Sequence, residues 1–255
     1  MSPSRSQLLK ADESQHSSGR FGDLASKALS EVATRGRGQD IYLASNAPFV
    51  GRLLNAAMSR SGETLRDAAQ SLLAQGIPAE VIIDDIVPRV ARMMGEEWVR
   101  DISGFASVTV GSMYLQSLVR ELSASWTADD ADLKLSTVLL WMPESAQHTL
   151  GATVVSTQLR RMGHSVQFAP RRSLTELTDA LTLDRYDAVV VSASFSETPD
   201  DVRAVIKTVK AHAPTLPVAV GGTILKHNAD LAAQTGADVA TNDLEVASQL
   251  FSVAK

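Results

Sequence analysis

The chain has 255 residues, of which 44% are hydrophobic, and it carries a net charge of −5. That length and apolar content suffice for two modest hydrophobic cores. The chain contains no cysteine, which excludes disulfides, zinc–thiolate sites and cysteine nucleophiles. Proteins that dock alone on DNA usually present a basic face, so this acidic chain is expected to show no strong direct binding to nucleic acid.

The first 22 residues are polar, rich in serine and without periodicity. We interpret residues 1–22 as a flexible arm. This segment lacks the apolar core of a signal peptide, and no run in the chain approaches the length of a membrane span. We therefore expect a cytoplasmic protein that does not associate with membranes.

Residues 23–127 carry helical periodicity and no convincing strand, which predicts a bundle of four or five helices. Gly76-Ile77-Pro78 ends one amphipathic helix and begins the next. That next helical pattern continues to Arg100, and Pro88 is predicted either to kink it or to separate two helices. The last helix of the bundle is predicted over Ser103–Ser125.

A short charged segment that begins at Thr127 links the bundle to a region of alternating strand and helix patterns. This alternation is typical of βαβ units, so residues 128–255 are predicted to form a flavodoxin-like, five-stranded parallel sheet. The predicted fold class is thus α followed by α/β. The predicted strands are residues 136–142, 165–169, 187–192, 217–220 and 237–240.

Three segments with chemical potential follow strands of this predicted sheet. His148 lies in the loop after the first strand, shortly before a helix that opens near Gly151. Ser192 and Ser194 end the third strand, and Gly221-Gly222 ends the fourth. Open parallel sheets bind ligands at the carboxyl ends of their strands, where these segments would meet. Together they suggest a pocket for a large flat ligand whose metal His148 would bind.

These segments resemble the cobalamin-binding domain of methionine synthase and its relatives. That family has Asp-x-His-x-x-Gly, then about forty residues to Ser-x-Leu, then Gly-Gly some two dozen residues later. In this chain, 40 residues separate Gly151 from Ser192, and 26 separate Ser194 from Gly221. The resemblance implies that His148 is the lower cobalt ligand, in place of the cofactor's own dimethylbenzimidazole.

Two positions depart from the family pattern. Ala146 stands where the family has an acid that orients the histidine, and Ser194 stands where it has leucine. A ligating histidine usually gives its second ring nitrogen a hydrogen-bond partner. Without the acid, that partner could be Glu144, Glu197 or a water molecule, and the sequence leaves all three open.

The resemblance also implies which loops hold the cofactor. The segments Ser192–Thr198 and Gly221–Thr223 are expected to hold its nucleotide tail, with Thr223 among the contacts. Thr149 and Gly151, beside the predicted histidine ligand, complete the cofactor contacts expected in this domain.

A second resemblance involves the bundle. The run from Gly95 to Leu122 resembles the bundle segment of the AerR/PpaA antirepressors of photosynthetic purple bacteria. In the related light-sensing cobalamin repressors, a Trp is followed after nine residues by Glu-His, whose histidine is the upper cobalt ligand. The same count from Trp98 leads here to Val108-Thr109, so that ligand is missing. Trp98, Val108, Thr109 and Ser112 are expected to face the upper side of the cofactor.

The AerR/PpaA resemblance covers roughly residues 40–255 and implies a regulatory role. Such antirepressors bind cobalamin and respond to light through photolysis of the cobalt–carbon bond. They act on a DNA-binding repressor of the PpsR/CrtJ type that controls bacteriochlorophyll and carotenoid genes. The implied cofactor is hydroxo-, methyl- or adenosylcobalamin, with no catalytic turnover. His16, the only histidine outside the C-terminal domain, is our hypothetical sixth ligand to cobalt.

Two other functions stay open at this point. One is a corrinoid protein that carries methyl groups between methyltransferases. Ala146 argues against it, because the acid at that position normally tunes cobalt during redox cycling. The other is a flavodoxin-like signalling scaffold that has lost its cofactor, as the substitutions at Ala146 and Ser194 would allow. The oligomeric state is not indicated by the sequence.

Overall fold

The computed structural model describes residues 47–124, 126 and 136–252. The predicted arm, with His16, and the charged segment from Thr127 lie outside these described residues. A helical region precedes a five-stranded parallel sheet, which confirms the predicted fold class. None of the described helices is both long and apolar enough to cross a membrane.

The helical region contains five labelled helices within residues 47–124. Their bounds are Ala47–Met58 for α1, Gly62–Ala74 for α2, Ala79–Val81 for α3, Val87–Val99 for α4 and Phe105–Leu122 for α5. A π-helical turn, Ile82–Ile86, joins α3 to α4 without a break. The buried side chains of this continuous segment are Ile82, Ile83, Ile86, Val87, Val90 and Met94.

Pro88 lies at the start of α4, directly after the π-helical turn. The Val87 N–H donates to the carbonyl of Ile82, five residues back instead of four. A proline inside an α-helix lacks the N–H for the regular hydrogen bond and crowds the carbonyl four residues earlier. Widening the preceding turn relieves that crowding, since a π-bulge breaks the four-residue pattern locally. The chain therefore stays helical through Pro88, without the break that the sequence offered as one of two alternatives.

The C-terminal region is a parallel sheet in the strand order β2-β1-β3-β4-β5. The five predicted strands are all present. Their bounds are Thr137–Pro143 for β1, Ser165–Arg172 for β2, Ala188–Ser192 for β3, Val218–Gly221 for β4 and Val239–Ala240 for β5. The helices between the strands are Leu150–Arg161 (α6), Leu174–Leu183 (α7), Pro199–His212 (α8) and Leu231–Thr235 (α9). The last helix, Leu244–Ser252 (α10), follows β5.

Helices cover both faces of this sheet, which explains why its strands are continuous apolar runs. Leu139 and Trp141 of β1 pack in a core with α7 and α8. Val138 and Leu140 alternate with them and pack in a second core with α6 and α10. The strand order reverses between β1 and β3, so the crevice at their carboxyl ends is the expected ligand position of such a sheet.

The helical region contacts the sheet domain through its π-helical turn and α5, which both pack against α6. Arg161, at the end of α6, forms an ion pair with Asp84 of the π-helical turn. The guanidinium of Arg161 also lies 4.9 Å from the ring centre of Trp126, in the segment between the two regions. One arginine thus ties together the helical region, the connecting segment and the sheet domain.

Candidate functional site

The carboxyl ends of β1, β3 and β4 open onto a cavity of about 230 Å³. It lies between the sheet and the helices α6 and α10, which line it with apolar side chains such as Val155 and Leu244. The structure brings most of the predicted sheet-domain residues to this one cavity. Those that line it are His148, Gly151, Ser192, Ser194, Gly221, Gly222 and Thr223.

Five predicted cofactor contacts lie elsewhere. Thr149 directly precedes α6, and its carbonyl accepts the first hydrogen bond of that helix, from the N–H of Thr153. The other four, Trp98, Val108, Thr109 and Ser112, belong to α4 and α5 and do not line the cavity. Their expected contact with the upper side of a cofactor stays a prediction.

The aromatic side chains at the end of α4 and the start of α5 are nevertheless unusual for a helical surface. Trp98 is 47% exposed and Phe105 is 68% exposed, with their ring centres 6.1 Å apart. The Thr109 hydroxyl donates to the Phe105 carbonyl at 2.9 Å, so its proton is used within the helix. These residues present an exposed aromatic surface without a metal-binding side chain at the position of the repressors' histidine.

His148 is exposed at the mouth of the cavity. Among the described residues, none forms a hydrogen bond with its ring. Its ring centre lies 5.9 Å from that of Phe195, with the two planes inclined by 30°. A free imidazole at this edge of the sheet can bind a metal through either nitrogen.

The three candidates for a hydrogen-bond partner of His148 are partly resolved by the geometry. Glu144 is exposed and forms no hydrogen bond with the His148 ring. Glu197 is buried, and it accepts from the Ser194 N–H and the Ser196 hydroxyl instead. Neither carboxylate therefore orients the imidazole in this structure, which leaves the water molecule among the partners considered.

Ala146 occupies the position of the family's acid. Its side chain is 1% exposed and packs in the core between the sheet and α6 and α10. A carboxylate there would be buried among apolar groups, which is costly without a partner. Alanine at this position thus contributes to the hydrophobic core and offers nothing to the imidazole.

The glycines of the site differ in their physical role. A Cβ at Gly222, where φ is 117°, would lie 2.0 Å from the Ala193 carbonyl oxygen, and one at Gly221 would lie 2.8 Å from that of Thr241. Close approach of neighbouring backbone segments therefore requires this glycine pair. Gly151 is different, since a Cβ there has no described atom within 4 Å. Its bare backbone leaves open space next to the cavity.

Thr241 and Asn242 also line the cavity and were not singled out from the sequence. The Asn242 side chain accepts from the Gly222 N–H at 2.6 Å and donates to the Gly222 carbonyl at 3.3 Å. It thereby fixes the second glycine of the pair. Both residues directly follow β5, so the rule that strand ends form the ligand site would have found them.

The residues present fit a corrinoid cofactor that carries a nucleotide tail. His148 offers at the cavity mouth an imidazole without a hydrogen bond to any described residue, and the apolar walls can bury a flat aromatic group. Ser192 and Asn242 supply polar side chains along the same edge. Such a combination of an apolar cavity with a few convergent polar groups is typical of a cofactor site.

Comparison with known proteins agrees with this geometry. Residues 137–248 match the family model of the B12 binding domain. The chain is 35% identical over 182 residues to a Rhodobacter capsulatus protein described as an "uncharacterized 20.5 kDa protein in bchF-crtJ intergenic region", covering 71% of this chain and 95% of that relative. The fold of the present chain is similar to that of the Methanosarcina barkeri monomethylamine corrinoid protein. The TM-score is 0.65 at 13% identity, over 82% of this chain and 100% of that one.

The sheet, its cavity and the matched model define a protein with a B12-binding domain that follows a helical region. The similarity to the R. capsulatus protein extends over nearly all of that relative. The chain therefore belongs to the same family, the AerR/PpaA type of cobalamin-binding protein. This confirms the resemblance identified in the sequence.

Proposed function

We propose that this protein is a light-responsive antirepressor that binds cobalamin and has no catalytic turnover. The observation that carries the proposal is the exposed, unpaired imidazole of His148 at the mouth of an apolar cavity. His148 would ligate cobalt from below, and the cavity would hold the nucleotide tail. A bound alkylcobalamin would supply a cobalt–carbon bond that light can break.

The helical region would cover the upper side of the cofactor. Trp98 and Phe105 form an exposed aromatic pair at the end of α4 and the start of α5, suited to contact with a bulky upper group. The Arg161–Asp84 ion pair holds the helical region against α6, the helix that follows the His148 loop. A change in the upper group would alter its contacts with the helical region. It would thereby shift the equilibrium between two arrangements of that region.

The regulatory part of the proposal has two supports. The R. capsulatus relative is described by its position between bchF and crtJ, and the bundle segment resembles the AerR/PpaA antirepressors. The net charge of −5 favours action through a protein partner over direct DNA binding. The proposed partner is a DNA-binding repressor of the PpsR/CrtJ type, and the proposed location is the cytoplasm.

The test is to measure the affinity of such a repressor for its operator DNA with and without the full-length chain. The chain would be loaded with adenosylcobalamin in the dark, and the titration repeated after illumination. We expect the chain to weaken operator binding to different extents in the two states, and His148→Ala to remove that difference. Operator binding that is the same with and without the chain, in light and dark, would overturn the regulatory role.

His227→Ala serves as the matched control, because His227 is exposed and does not line the cavity. The same preparations also test the two alternative functions. Methyl transfer from the loaded chain to an acceptor in the presence of a methyltransferase would favour a corrinoid carrier. A chain that stays colourless after incubation with cobalamin would favour a scaffold without a cofactor.

A further inference from the structure

No described side chain orients the His148 imidazole through a hydrogen bond. A metal-binding histidine is normally held by a hydrogen bond from its second ring nitrogen to a carboxylate, a carbonyl or a water. Ala146 supplies no such group, and Glu144 and Glu197 do not reach the ring. The protein side chain that approaches the His148 ring is instead that of Phe195, at 5.9 Å between ring centres.

Phe195 is itself unusual, because 67% of its surface is exposed. A phenylalanine on a loop has no reason from burial to keep one position. Its ring lies within the 4.5–7 Å range of favourable aromatic pairs, and its plane is tilted by 30° relative to that of His148. Among the described residues, the aromatic ring that Phe195 contacts is therefore that of His148, outside the hydrophobic core.

The loop that carries Phe195 is fixed on both sides of the ring. The Phe195 N–H donates to the Thr223 hydroxyl at 3.1 Å, which ties the loop to the segment after β4. The Ser194 N–H and the Ser196 hydroxyl both donate to the Glu197 carboxylate. Glu197 is only 4% exposed, so a buried carboxyl group with these two donors anchors this turn.

We propose that Phe195 is the positioning residue for His148, fixing the plane of the imidazole by this tilted aromatic contact where the family uses a carboxylate. Glu197 acts one step further away, by holding the Phe195 loop. The phenyl ring supplies orientation without negative charge, so it fixes the imidazole without making it a stronger donor to metal. This inference rests on the proposed ligation of cobalamin by His148.

This aromatic contact is measurable in the protein without cofactor. In a nuclear magnetic resonance spectrum, the ring current of Phe195 should shift the ring protons of His148. Phe195→Leu keeps an apolar side chain but removes the ring current, so we expect those protons to move toward their positions in an unstructured peptide. Leu183→Ala is the control, because Leu183 is an exposed apolar residue at the far end of α7. Unchanged His148 protons in Phe195→Leu would overturn the inference.

The second measurement is the dissociation constant for hydroxocobalamin. An aromatic pair contributes enough to change binding by about 2- to 12-fold, so Phe195→Leu should weaken it by that factor. Phe195→Trp should restore it. In a His148→Ala background, Phe195→Leu should have no further effect, because a positioning residue acts only through the group it positions.

The outcomes separate this inference from the proposed function. Additive losses in the double variant would mean that Phe195 contacts the cofactor directly, and they would overturn the positioning role. A wild-type chain that binds no hydroxocobalamin would overturn the proposed function and this inference with it. Binding that depends on His148 but not on Phe195 would overturn the inference alone.

Discussion

Replacing Gly151 with leucine should separate cofactor binding from folding. Gly151 is the second residue of α6, it lines the cavity, and a Cβ built on it has no described atom within 4 Å. The added Cβ would therefore meet no described protein atom, and the rest of the side chain would extend toward the space left for a ligand. We expect a well-folded protein with a strongly weakened cobalamin site.

The size of the effect follows from the cavity. Leucine adds four carbon atoms at the wall of the 230 Å³ cavity. Forcing groups into filled space costs about 1–3 kcal/mol, which corresponds to a loss of about 5- to 150-fold in affinity. The apoprotein should not be destabilised, because leucine is a better helix former than glycine.

Two measurements check this prediction. Absorbance titration with hydroxocobalamin gives the affinity. Thermal unfolding of the apoprotein gives the stability, and a gain of at most about 1 kcal/mol would raise the unfolding midpoint by about 2–4 °C. Gly51→Leu is the matched control, because Gly51 is also helical with no described atom within 4 Å of its added Cβ. Full affinity in Gly151→Leu would show that the cofactor does not use this cavity. A loss of stability would show that the space is needed by the fold.

Three further predictions concern the frame around the site. Arg161→Ala leaves Asp84 without its ion-pair partner. The free energy of unfolding, measured with urea, should therefore decrease by about 1–3 kcal/mol. Arg161→Lys should not restore it fully, since lysine lacks the planar guanidinium. Burial lowers the pKa of His164 from 6.5. Below pH ~6.5 the unfolded chain therefore binds more protons than the folded chain. The free energy of unfolding should decrease as the pH is lowered through this range, until the pH lies below the folded-state pKa. His164→Asn should flatten this part of the profile, and an unchanged slope would refute its cause. Gly222→Ala should lower the free energy of unfolding by more than the ~1–3 kcal/mol of backbone strain alone, because the added Cβ would overlap the Ala193 carbonyl. A thermal unfolding curve by circular dichroism like that of the wild type would contradict this.

The sequence predicted the sheet well because its strands are buried on both faces and read as apolar runs. The end of β2 was the exception, since the prediction stopped before Pro170 while the strand continues to Arg172. β2 is an edge strand, and proline is tolerated where a strand has no partner on one side. The π-helical turn before Pro88 was also missed, because periodicity does not distinguish one widened turn within a helix.

Much of the site was predictable because parallel strands bring their carboxyl ends together. That rule placed His148, Ser192 and the glycine pair on one cavity. Contacts made by loops were not predictable, since they depend on how two segments meet in space. The tilted contact of Phe195 with His148 and the hydrogen bonds to the Glu197 carboxylate are of this kind.

Ligation of cobalt by His148 is tested most directly by an absorption spectrum. The full-length chain would be incubated in the dark with hydroxocobalamin, desalted and recorded beside His148→Ala and the His227→Ala control. We expect wild type and the control to retain a red chromophore with the same spectrum, and His148→Ala to lose the chromophore or change its spectrum. A wild-type chain that elutes colourless, or an unchanged spectrum in His148→Ala, would contradict ligation by this residue.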